Sequence, residues 1–263
     1  MSALQFALSV VAVLPVYVAG AVTYLHKTRG PAVDWRATGR AAAGLAPDPA
    51  ETPEAVVQVY AARAWGWRGY FGVHPWIAVK PAGARRYTVY EVNGWQLRFG
   101  GSSVIATARQ PDGAWYGSRP ELLADRRGKG VDELIARIDA AARAYPWART
   151  YRVWPGPNSN TFIACILRAV PELRADLPST ALGKDYLGRM PLARLPSGTG
   201  LQFNLFGAFG VAAGWREGLE INLLGLTFGI DPRTLSLKLP LLGRIGGRRS
   251  RSTSVPPVDP LVP

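Results

Sequence analysis

Trp154-Pro155-Gly156-Pro157-Asn158-Ser159-Asn160-Thr161-Phe162 joins a strand, a stiff turn and a capped helix start, and the rest of the chain is read outward from it. Tyr151-Arg152-Val153-Trp154 is a β-type run, and Pro155-Gly156-Pro157 stops it sharply. Asn158 and Ser159 are of the residue types that cap helices, and Thr161 to Val170 carries Phe162, Cys165, Ile166 and Ala169 at helical spacing. A helix start exposes backbone N–H groups and favours negative charge, so an attacking serine and the oxyanion it generates would both benefit there.

Upstream, Val56–Tyr60, His74–Lys80 and Tyr87–Val92 read as strands, and Asn93-Gly94 signals a hairpin into Trp95–Phe99. A largely antiparallel meander of about four strands is predicted. Between Gly130 and Tyr145 the residues Val131, Leu134, Ile135, Ile138 and Ala142 form one helical stripe, which Pro146 ends. From Leu201 to Gly246 the pattern alternates, as in Leu219-Glu220-Ile221-Asn222-Leu223 and Leu235-Ser236-Leu237-Lys238-Leu239. The predicted class is α+β, with a linker over 30–53, a main domain over 54–195, an apolar β-rich extension over 196–246 and a disordered tail over 247–263.

Residues 1–29 read as an anchor. Ala3 to Leu25 has no charged side chain, and at about 1.5 Å per residue it would reach roughly 34 Å, against a hydrocarbon thickness of about 30 Å. One transmembrane helix is predicted, with Pro15 tolerated inside it. Ala19-Gly20-Ala21 also has the form of a signal cleavage site, but no Lys or Arg precedes the apolar run. Lys27, Arg29, Arg36 and Arg40 follow and favour a cytoplasmic domain, whereas the cleavage-like site favours the envelope side. The reading leans to the envelope side of a bacterial inner membrane.

With 31 Lys and Arg against 18 Asp and Glu, the net charge is +13, which suits an anionic surface. Membrane lipid is the first partner to expect. Nucleic acid is not expected, since zinc spacings, a helix-turn-helix pattern and an aromatic RNA-binding signature are missing from the sequence. Cys165 is the one cysteine, which excludes an internal disulfide and a cysteine metal cluster; no cofactor and no metal are expected.

Val57–Lys80, Tyr87–Trp95, Gly117–Leu122, Tyr151–Phe162 and Gly183–Tyr186 resemble the bacterial domain-of-unknown-function family numbered 3750, which implies no activity. More distantly, His74 on a strand, Glu91 on the next and Asn158-x-Asn160-x-Phe162 at a helix start are similar to circularly permuted NlpC-type papain-like proteins, the group that includes lecithin retinol acyltransferase. That resemblance implies a nucleophile at Ser159, a base at His74, an orienting group at Glu91, and Asn158 and Asn160 shaping the oxyanion site. Those proteins carry cysteine where this chain has Ser159, and a hydroxyl does not ionise near neutral pH as a thiol does. Ser159 also reads simply as part of a helix cap, His74 as a structural hydrogen-bonding residue and Glu91 as a solvent-facing strand residue. Two functions are therefore carried forward. One is a hydrolase or acyltransferase acting on envelope or lipid-linked substrates; the other is a catalytically inactive cleft that binds lipid, peptide or a membrane protein.

Overall fold

In the computed structural model, which describes residues 3–29 and 41–247, the upstream alternating runs pair into one antiparallel sheet. Its strands are β1 (Val56–Arg63), β2 (Val73–Lys80), β3 (Thr88–Val92), β4 (Val104–Ala108) and β5 (Glu121–Arg127), in the order β4-β3-β2-β1-β5. Helix α1 (Ala3–Arg29) precedes them, α2 (Arg68–Phe71) links β1 to β2, and α3 (Val131–Arg143) and α4 (Ser159–Ala169) follow.

Strand alternation separates two apolar layers. Val57, Val59, Ile77, Val79, Tyr90 and Val92 share a core with Leu134 and Ile138 of α3 and with Phe162, Ile163, Ile166 and Leu167 of α4. Tyr60, Trp76, Ala78 and Val89 point to the opposite face, where Leu45, Trp115 and Leu122 cover them. The α+β class and the antiparallel pairing agree with the sequence reading.

Two local expectations are corrected. Trp95–Phe99 is not the second arm of a hairpin: Asn93 Oδ1 accepts from Trp95 N at 3.2 Å, and Gln96–Phe99 closes into a 3-10 turn. An asparagine side chain that supplies its own turn has displaced the strand. Tyr151–Trp154 is irregular as well, because Arg152 N donates to Pro157 O at 2.8 Å and Asn158 Nδ2 to Val153 O at 3.0 Å. The segment folds back on its own turn, where Trp154–Pro155 and Gly156–Pro157 are both cis.

The apolar extension is a second antiparallel sheet of seven strands, β6 (Leu192–Arg194), β7 (Gly200–Leu205), β8 (Phe209–Gly214), β9 (Gly218–Leu223), β10 (Leu226–Asp231), β11 (Ser236–Leu239) and β12 (Gly243–Ile245), arranged as a meander. Its inward residues are polar. Gln202, Asn204, Glu220, Asn222, Thr227 and Lys238 are buried against the segment that holds Asp176, Lys184 and Asp185. Glu220 joins two lysines, at 2.5 Å to Lys184 Nζ and 2.6 Å to Lys238 Nζ, and Asp176 ties Lys238 to Arg244. Burial opposes the charge on Glu220, but the two ammonium groups outweigh it and hold its pKa below the usual carboxylate range.

Among the described residues no helix is long and apolar enough to cross a membrane, so the expectation of a spanning segment at Ala3–Leu25 is not met. Pro15 lies inside α1, which ends at His26, Lys27 and Arg29. The helix docks on its own chain. Tyr17 donates to Pro240 O at 2.6 Å and packs against Phe228, and Ala21 and Leu25 are buried with Leu241. Within the expected linker, 41–53 lies against the first sheet, with Leu45 N donating to Asp112 at 2.6 Å; 30–40 and the tail from 248 lie outside the described residues.

Candidate functional site

His74 and Glu91 meet. They occupy neighbouring strands β2 and β3, and alternation puts both on the face of Trp76 and Val89. His74 Nε2 lies 3.2 Å from Glu91 Oε2. A carboxylate only accepts, so the ring nitrogen facing it carries the proton. Arg109, just beyond β4, donates from Nη2 to the same oxygen at 3.1 Å, with its guanidinium 5.4 Å from the Trp76 ring. Burial alone would raise the Glu91 carboxyl. The His74 hydrogen bond and charge, reinforced by Arg109, outweigh it and leave its pKa below the ordinary value.

The imidazole is fixed by stacking. Trp115 lies parallel to it, at 3.9 Å between centroids and 7° between planes, and is itself held by reciprocal backbone bonds with Ser118 at 2.9 Å. Trp76 packs beside both rings, 6.1 Å from the imidazole and 6.0 Å from Trp115, and donates from its indole to Pro111 O at 2.7 Å. The Pro111-Asp112-Gly113 turn is anchored through Asp112, which accepts from Leu45 N, Ala46 N and Gln110 Nε2. A cavity of about 380 Å³ opens beside this cluster, between Glu91, Gln96, Thr107, Arg109 and Trp115.

Ser159 sits elsewhere. It is the first residue of α4, which packs on the opposite face of the sheet, in the layer of Ile77, Val79, Tyr90 and Val92. The side chain that Ser159 engages is Tyr151, whose hydroxyl burial pushes up in pKa while the Ser159 hydrogen bond and Arg68 pull it down. The helix start is fully capped. Asn158 Oδ1 accepts from Asn160 N at 2.9 Å and Thr161 N at 3.2 Å, and Thr161 Oγ1 accepts from Asn158 N at 3.1 Å. Of the backbone donors expected to hold an oxyanion, that of Asn160 is spent on the cap. Asn158 Nδ2 and Asn160 Nδ2 both donate to Leu182 O, at 3.0 and 2.8 Å, tying the motif to the Gly183-Lys184-Asp185-Tyr186 segment.

The structure therefore brings His74 and Glu91 together and places Asn158, Ser159 and Asn160 apart from them, at the capped start of α4. Sequence reasoning missed Arg109 and Trp115. The available signal was an arginine at the end of an alternating run, followed by Gln110-Pro111-Asp112-Gly113 and a tryptophan, a turn that returns an aromatic onto the preceding strand.

The family described as "Protein of unknown function (DUF3750)" matches residues 54–186, which span the whole first sheet, α3, α4 and both site regions. No curated protein and no solved structure matches the chain.

Proposed function

Because the chain belongs to the family of proteins of unknown function numbered 3750, whose description assigns no activity, we propose a function from the site alone: a non-catalytic, papain-like cleft that binds peptide. The observation that carries this reading is the cavity of about 380 Å³ that has Glu91 and Arg109 in its wall and opens along β4. Among the described residues β4 is the edge of its sheet and pairs only with β3. A free strand edge offers a peptide its backbone hydrogen bonds, and a pocket beside it takes alternate side chains. Arg109 and Gln96 supply polar contacts there, and Trp115 supplies an aromatic wall.

Binding is favoured over acyl transfer on chemical grounds. Among the described residues the ring partners of His74 are Glu91, Trp76 and Trp115, none of which carries a hydroxyl or thiol for a histidine base to deprotonate. The helix that begins at Ser159 packs on the other face of the sheet, which argues against general-base activation of its hydroxyl by His74.

The test selects a random heptapeptide phage library on the full chain and remeasures enriched sequences as synthetic peptides by fluorescence anisotropy. Arg109→Ala removes a donor and Ala108→Trp fills the cavity. Each is expected to weaken binding by roughly tenfold, about 1.4 kcal/mol. Peptides that bind both variants as well as wild type, or a library that yields no enrichment, would refute the reading.

A further inference from the structure

The second sheet is built inside out. Its inner rows are polar, while its outer rows, followed across the pairing register, are apolar from strand to strand. One row runs Leu192, Phe203, Val211, Ile221 and Phe228; the next runs Leu201, Ala213, Leu219, Ile230, Leu237 and Ile245. Apart from Phe228, over which Tyr17 of α1 packs, these large side chains are exposed, with Phe203 at 43% and Ile221 at 52%. A contiguous apolar face of this extent marks an interaction surface.

The charges around it are of one sign. From Gly188 to Gly247 the acidic residues are Glu217, Glu220 and Asp231, and all three are buried. The exposed charged residues in the same stretch are Arg189, Arg194 and Arg233. Arg194 stands in the outer row of the edge strand β6, opposite Leu201. The Arg233 guanidinium lies 5.3 Å from the ring of Trp215, an indole that is 70% exposed at the β8–β9 turn. Tryptophan and arginine at the border of an apolar face are side chains suited to the headgroup layer of a bilayer. A second copy of the chain would set arginine against arginine, whereas anionic headgroups complement them.

We propose that the outer face of β6–β12 is a docking surface for an anionic lipid bilayer. The strands are at most six residues long, against the 9–11 or so that a spanning strand needs, so the sheet lies on the bilayer without crossing it. The inner ion-pair network has a place in this arrangement. It holds the polar side of the sheet to the protein and leaves the apolar side free for lipid.

The experiment is co-sedimentation of the full chain with phosphatidylcholine vesicles, with and without phosphatidylglycerol, alongside its size in solution by light scattering. Binding to phosphatidylglycerol vesicles is expected, weaker by roughly tenfold or more on pure phosphatidylcholine and in the double variant Phe203→Ser/Ile221→Ser. Leu219→Gln, elsewhere on the same face, is expected to weaken binding as well, and circular dichroism confirms that each variant is folded. The proposal is overturned if binding is absent, if it is equal on both vesicle types, or if folded variants bind like wild type. A stable dimer that the double variant dissociates also overturns it, by assigning the face to a second copy.

Discussion

Glu220 and Ile221 are adjacent in β9 and point in opposite directions, and the glutamate is the buried one, at 2% exposure against 52%. The carboxylate is clamped between Lys184 and Lys238, while the isoleucine is on the open face. An extension rich in Leu, Ile and Phe is thus held to its own protein by ions, and this relationship sets the first prediction.

Glu220→Ala leaves two buried ammonium groups without their shared counter-charge, a loss expected to cost about 3–5 kcal/mol. Ile221→Ser removes a side chain that packs on little, and its effect is expected to stay within about 0.5 kcal/mol. Urea unfolding of the two variants should show a large fall in midpoint for the first and almost none for the second. The opposite ranking would mean that the apolar face is the buried one.

Asn158 caps α4 and also donates to Val153 O and Leu182 O. Asn158→Ala is expected to cost about 2–3 kcal/mol, the sum of a cap and two hydrogen bonds. Ser159→Ala, outside the cap itself, is expected to cost less than Asn158→Ala. Gly183 has φ +92°, and a Cβ there would come within 2.5 Å of Asn158 Nδ2. Gly183→Ala is therefore expected to destabilise by at least about 1 kcal/mol. Thermal melts of the three variants check the order.

The Glu91 carboxyl has its pKa held below the ordinary value by His74 and Arg109 against the cost of burial. A carboxyl with a lower pKa in the folded chain adds stability that is present above the unfolded value, about 4.3, and is lost as pH falls through the folded one. Melting temperature followed from pH 7 downward should therefore fall less steeply below about pH 4.3 in Glu91→Gln than in wild type. Parallel curves would show that Glu91 contributes nothing to the acid limb.

Much of the first sheet was legible because it obeys local rules. Val131, Leu134, Ile135, Ile138 and Ala142 mark α3 by spacing alone, and the alternation around Val57, Ile77 and Val89 marks β1 to β3. His74 and Glu91 were found as a pair because adjacent antiparallel strands bring residues of one face together. Which face that would be was not legible. Alternation shows that two faces differ without saying which of them a helix covers, so Ser159 and His74 were placed in one site although α4 packs on the other side. The same ambiguity governs the extension, where Leu219-Glu220-Ile221-Asn222 alternates clearly but the usual assignment of apolar residues to the inside is inverted. Trp95–Phe99 and Tyr151–Trp154 failed as strands for a different reason, the capture of backbone groups by Asn93 and Asn158.

Labelling of the full chain with a serine-reactive fluorophosphonate acyl-site probe tests most directly whether this cleft binds without catalysis. Wild type, Ser159→Ala and His74→Ala are expected to label equally, at background, because α4, which begins at Ser159, packs on the face of the first sheet opposite to the one that carries His74. Labelling of wild type that disappears in both variants would contradict the account and make Ser159 and His74 a working pair.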